Sequence, residues 1–155
     1  KIIEMNHLNE TLYCGCIACA SEGHKEPSGT YYVNTLLANV HKQNITRFPY
    51  EIARLAQDIA GGLMVTLPSE KDFKSPLVGN WLNKYYAGRA DVPTENRCRI
   101  LRLIENITMG TAAVGYLTES MHGAGSPQAQ RIMIARQVNL KQKQKVAKQL
   151  CGIEE

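Results

Sequence analysis

Apolar side chains recur along this chain in steps of three and four. Between Lys1 and Ser21 they fall at Ile2, Met5, Leu8, Leu12, Cys16 and Cys19, one stripe of an amphipathic helix. Val33, Leu36, Leu37 and Val40 repeat the pattern within Tyr31–Lys42. Ile52, Leu55, Ala56 and Ile59 form a third stripe after Pro49, a residue the first helical turn tolerates. Strand-like alternation is scarce, so the pattern predicts an all-α chain, about four long helices around one core.

The breakers set the expected boundaries. Gly23 and Pro27 close the first helix, with Pro27-Ser28-Gly29 as a loop, and Gly61-Gly62 stops the third. Leu63 to Pro76 reads as irregular, and Leu77 to Tyr86 as a short helix. A long helix is expected to start near Asp91 or Thr94, either of which can cap it, and to run on through Val114 and Leu117. After Gly123-Ala124-Gly125, Ser126 as N-cap and Pro127 at the first position start a last helix running towards Leu150.

A chain of 155 residues with 44% hydrophobic and 21% charged side chains has the makings of one globular domain and not of a disordered segment. The net charge of +4 owes much to Lys141, Lys143, Lys145 and Lys148. Such a tail attracts phosphates or is simply a solvated helix face, and the second reading is preferred. Only 6% of residues are aromatic, which argues against a base-stacking platform, so no nucleic-acid partner is expected. No apolar run approaches the roughly 20 residues that span a bilayer, so no membrane partner is expected either. The five cysteines form no evenly spaced disulfide framework, which points to a reducing cytoplasm. The chain opens on Lys1 within a helical pattern, so it reads as part of something longer.

Cys14, Cys16 and Cys19, with His24 beyond, offer soft ligands for zinc or an iron–sulfur cluster. In a continuous helix Cys14 and Cys16 point about 200° apart and cannot share a metal. Packing is the preferred reading, because a free cysteine also behaves as a small hydrophobe.

Two glycine turns stand out. Asp58-Ile59-Ala60-Gly61-Gly62 ends a helix on paired glycines, which serve either as a helix cap or as a site of close approach by a ligand. In Glu119-Ser120-Met121-His122-Gly123-Ala124-Gly125-Ser126-Pro127-Gln128 a carboxylate precedes a glycine loop and a new helix N-terminus, where backbone N–H groups can hold an anion. Partial desolvation would raise Glu119 towards a useful range for proton transfer, and His122 is a second proton-handling candidate. An ordinary helix–loop–helix corner with an exposed Glu fits the same residues.

The order of these features resembles the C-terminal helical domain of the acyl-CoA dehydrogenase fold. There a Gln-x-x-Gly-Gly turn reaches the flavin nucleotide of a neighbouring subunit, and a Glu-Gly-Thr-Ser-Gln-x-Gln-Arg segment supplies the catalytic carboxylate and further flavin contacts. This chain has Asp58 in place of the Gln, and extra residues between Glu119 and Ser126-Pro127-Gln128-Ala129-Gln130-Arg131. Together with these, Arg47–Leu55 and Val92–Arg97 are similar to the dehydratase/isomerase branch of the 4-hydroxyphenylacetate 3-hydroxylase family.

The resemblance implies an up-and-down four-helix bundle, residues 1–155, as the C-terminal part of a three-domain enzyme whose N-terminal helical and middle β domains lie outside this chain. It implies FAD, a [4Fe-4S] cluster held by three Cys and one His upstream, and a homotetramer built as a dimer of dimers. The implied substrates are 4-hydroxybutyryl-CoA and vinylacetyl-CoA, in 4-aminobutyrate metabolism. Dehydration to crotonyl-CoA then proceeds through deprotonation at the α carbon and electron transfer to FAD, which acidifies the β hydrogen, while cluster iron helps the hydroxyl leave. The match makes Glu119 the base. It places Asp58, Gly61, Gly62, His122, Gly123, Gly125, Ser126 and Gln128 at the flavin, and it implies that this chain alone is inactive. Two rivals remain, a flavin-dependent aromatic monooxygenase domain and a non-enzymatic helical interaction bundle.

Overall fold

The computed structural model describes residues 1–153. They form eleven helical segments and one two-stranded hairpin, so the all-α expectation holds. The chain divides into two compact units, residues 1–5 with 49–119 and residues 6–48 with 120–155.

The first unit contains α3 (Phe48–Ala60) from Pro49 on, α4 (Leu63–Thr66), α5 (Glu70–Phe73), α6 (Gly79–Tyr85), α7 (Thr94–Thr108) and α8 (Ala113–Tyr116). An Arg54–Glu51 ion pair at i,i+3 supports the first turns of α3. Its end is set by Gly61, at φ +63°, whose N–H donates to the Gln57 carbonyl. Ala60, Met64 and Leu101 form a buried cluster, with Leu63, Leu67 and Ile104 packed against it. The stretch expected to be irregular therefore holds two one-turn helices, and Met64 joins α4 to α7. α5 carries a full capping box between Ser69 and Asp72.

The expected long helix from residue 91 is shorter than the pattern suggested. Neither Asp91 nor Thr94 caps it: Pro93 holds the N-cap position, Asp91 pairs with Arg89 at 2.7 Å, and Thr94 Oγ1 donates to the Asn83 carbonyl. α7 stops at Thr108, where the N–H groups of Met109 and Gly110 both turn back to the Glu105 carbonyl. Gly110 is a poor helix former, and the apolar rhythm past it produces only the single turn of α8, which itself contains Gly115.

The second unit contains most of α1 (Ile2–Ser21), the hairpin β1 (His24–Lys25) and β2 (Tyr31–Tyr32), α2 (Thr35–Ile45), most of α9 (Thr118–Gly123), α10 (Pro127–Gln137) and α11 (Leu140–Leu150). The strands pair antiparallel, His24 opposite Tyr32, around the expected Pro27–Gly29 loop with Gly29 at φ +85°. Asn34 caps α2 by accepting from the Leu37 N–H at 3.0 Å. α2 packs on α10, and Gln137 Nε2 donates to Thr35 Oγ1 at 2.6 Å. The expected last helix is divided: Val138 is extended, and Asn139 caps a new start by accepting from the Gln142 N–H. The lysines of α11 are exposed, as expected of a solvated face. No helix among the described residues is long and apolar enough to cross a membrane.

Candidate functional site

The predicted site residues are divided between the two units. Asp58, Gly61, Gly62 and Glu119 belong to the first, and His122, Gly123, Gly125, Ser126 and Gln128 to the second. Asp58, in the last turn of α3, lies 2.9 Å from Lys1 Nζ. The hydrogen-bonded Lys1 ammonium, with Arg54 nearby, holds its carboxyl below the ordinary range. Gly61 is the helix cap that one of the two sequence readings proposed. Gly62 follows in ordinary right-handed backbone, φ −64° and ψ −18°. A Cβ at Gly61, Gly62 or Gly123 would meet nothing within 4 Å, so a ligand can come directly against the backbone at each.

Glu119 and His122 both lie on α9 and are exposed. The desolvation expected for Glu119 is therefore not supplied by this chain. The Ala124 N–H donates to the Ser120 carbonyl and the Gly125 N–H to the His122 carbonyl, and Gly125 sits at φ +88°. Ser126 occupies the N-cap position of α10, but its side chain makes no capping bond. The expected cap is thus positional only. A helix start of this kind directs backbone N–H groups outward, and exposed Gln128 stands in its first turn.

One residue of the matched segment, Gln130, has no site role in the sequence analysis. Gln130 is 3% exposed, and its Nε2 donates to the carbonyls of Ala124 at 2.7 Å and Gly125 at 3.1 Å. The signal was its position four residues after the N-cap, one turn along, from which a long amide can reach back to the loop.

The cysteine motif lies within unbroken α1, the geometry that sets Cys14 and Cys16 apart. Both are exposed, and Cys19 Sγ donates to the Cys16 carbonyl. Among the described residues no group of three His, Cys, Asp or Glu side chains comes together for a metal ion. The first unit also has a cavity of about 360 Å³ between α5, α6 and α7. None of the predicted residues lines it, and its cations are matched within the chain: Lys74 by Glu70, Arg99 by Glu95, and Arg102 by Glu105 and the Pro68 carbonyl. Cys98 lines it too, its thiol pushed up by burial.

An all-α chain with paired glycines after one helix and a glycine loop opening another matches a defined family. Residues 1–152 match the model of the 4-hydroxyphenylacetate 3-hydroxylase C-terminal domain, and the chain belongs to that family. Within it, the chain is 62% identical, over 161 aligned residues and 99% of its length, to the 4-hydroxybutyryl-CoA dehydratase/vinylacetyl-CoA-Δ-isomerase of Clostridium aminobutyricum. It covers 33% of that relative, so it spans about a third of the protein it matches. The oxygen-tolerant archaeal 4-hydroxybutyryl-CoA dehydratase from N. maritimus has a solved structure 64% identical, with a TM-score of 0.87 over 99% of this chain and 31% of that one. The oxygenase component of 4-hydroxyphenylacetate 3-monooxygenase, solved with FAD and 4-hydroxyphenylacetate, shares the fold at 20% identity. Its TM-score is 0.74, over 91% of this chain and 29% of that one.

Proposed function

We propose that this chain is the C-terminal domain of a FAD- and [4Fe-4S]-dependent 4-hydroxybutyryl-CoA dehydratase with vinylacetyl-CoA isomerase activity. The observation that carries the reading is the 62% identity along 99% of the chain to an enzyme of that name. The remaining domains of the same polypeptide, and further copies in a tetramer, complete the site. Leu77 at 85% and Leu150 at 84% exposure support such a covered surface.

Each unit, taken by itself, has backbone that suits part of a flavin dinucleotide. The open backbone at Gly61, Gly62 and Gly123 admits close approach, and the start of α10, without a side-chain cap, suits the negative charge of a phosphate. FAD, when bound, supplies the one-electron redox chemistry. The chain's own part is proton handling and orientation. A carboxylate oxygen of Glu119 takes a proton from the thioester's acyl chain. His122 and Gln128 line the flavin, and Asp58, already engaged by Lys1, contributes mainly through its position before the glycine pair. The dry surroundings that a carboxylate base needs come from outside this chain, because Glu119 is exposed here. No residue of this chain is assigned to the cluster.

The test is turnover by the full-length protein of 4-hydroxybutyryl-CoA against 4-hydroxyphenylacetate with reduced flavin and oxygen. Formation of crotonyl-CoA is expected. Hydroxylation of the aromatic acid without dehydration of the thioester would replace this reading with the monooxygenase.

A further inference from the structure

We propose that Gln130 is the positioning residue of the loop at 123–126, holding two carbonyls inward so that the start of α10 presents only N–H groups to an anionic cofactor. The inference deepens the flavin reading and rests on it.

The Gln130 side chain is 3% exposed and donates to two consecutive carbonyls, Ala124 at 2.7 Å and Gly125 at 3.1 Å. The amide orientation follows from these partners, since the reverse would set its oxygen against two others. Its Oε1 is buried and accepts no hydrogen bond within the chain. That is a cost, and the amide offsets it only through its NH₂ group. The Ala124 and Gly125 N–H groups are held by the Ser120 and His122 carbonyls of α9, whereas their own carbonyls are held by Gln130. Gly125 lies at φ +88°, and the Ser126 side chain does not cap α10. The Ala124 and Gly125 carbonyls immediately precede the helix start. Turned outward, they would place partial negative charge where a phosphate must bind. Burial alone would be served by an apolar side chain of similar length, such as Met, so the two donated bonds account for an amide here.

The experiment uses the full-length protein with Gln130→Met and Gln130→Glu. Three quantities are followed: amide hydrogen exchange in peptides covering 120–131, the Kd for FAD added to apo-protein, and the visible circular dichroism of the bound flavin. Gln130→Met is expected to keep the far-ultraviolet spectrum and the exchange of α2 and α7. It should raise exchange across 120–126 and weaken FAD binding by about tenfold or more, the worth of one to two hydrogen bonds. In Gln130→Glu an ionised carboxylate faces two carbonyls, whereas a protonated one donates to Ala124. FAD binding by this variant should therefore strengthen, relative to wild type, as pH falls from about 8 to about 6. Lost packing alone gives no such rescue, and the comparison within one polypeptide stands even if Gln130→Met does not fold. Unchanged loop exchange in the variants overturns the proposal. So does raised exchange with wild-type FAD affinity and flavin spectrum, which leaves the flavin reading intact. A wild-type protein that takes up no FAD removes the reading and the proposal together.

Discussion

A methyl group built on Gly15 would stand 2.7 Å from Nδ1 of His41, 3.2 Å from its Cγ and 3.4 Å from its Cβ. The glycine at the centre of Cys14-Gly15-Cys16 thus lets an imidazole from α2 lie against α1. The motif that looked like a ligand set is, at its middle position, a packing site, and the His41 Nδ1 is buried there without a hydrogen-bond partner.

Gly15→Ala sets two effects against each other. Alanine gains about 1 kcal/mol of helix propensity over glycine. Overpacking costs about 1–3 kcal/mol, and the close contacts reach the ring root at Cγ, not only its tip. Net destabilisation is expected, read as a lower midpoint in urea. A midpoint at or above wild type would mean that His41 moves aside freely.

Gly61 and Gly62 should respond to alanine with opposite signs. At Gly61, φ +63° is a conformation that L side chains rarely adopt, and the left-handed region costs roughly 1–2 kcal/mol. At Gly62 the backbone is ordinary and the space open, so alanine should stabilise by about 0.4–1 kcal/mol through the unfolded state. If FAD comes against this backbone in the full-length protein, Gly62→Ala should raise Tm without cofactor and weaken FAD binding. A higher Tm with unchanged FAD affinity would assign both glycines to chain geometry alone.

Glu119→Gln keeps shape and polarity but removes the base. In the full-length enzyme, turnover of 4-hydroxybutyryl-CoA should fall by about 10²–10⁴-fold, the usual worth of general acid–base catalysis, with FAD and iron content intact. Near-normal turnover by the folded variant would take Glu119 out of the mechanism.

The double substitution Cys14→Ser, Cys16→Ser should leave the iron-to-protein ratio of the full-length protein unchanged, because the two thiols project from different faces of unbroken α1. Iron halved in a protein with a native circular dichroism spectrum would identify them as ligands.

Helix identity, the Gly61 stop and the motifs that reveal the family were legible in the residues, because helical periodicity and glycine breakers are local properties. So was the reach of the resemblance, nearly the whole chain. Where helices would stop was less legible. Apolar spacing continues past Thr108 and Gln137, yet α7 ends at the turn back to the Glu105 carbonyl and α10 at extended Val138, before the Asn139 cap of α11. The irregular look of Leu63–Pro76 hid the turn that buries Met64 against Leu101, since one helical turn is too short to show a period. The packing of His41 on Gly15 was decided by tertiary structure alone. Periodicity identifies which face of a helix is apolar, but which neighbouring group meets that face depends on how separate segments pack.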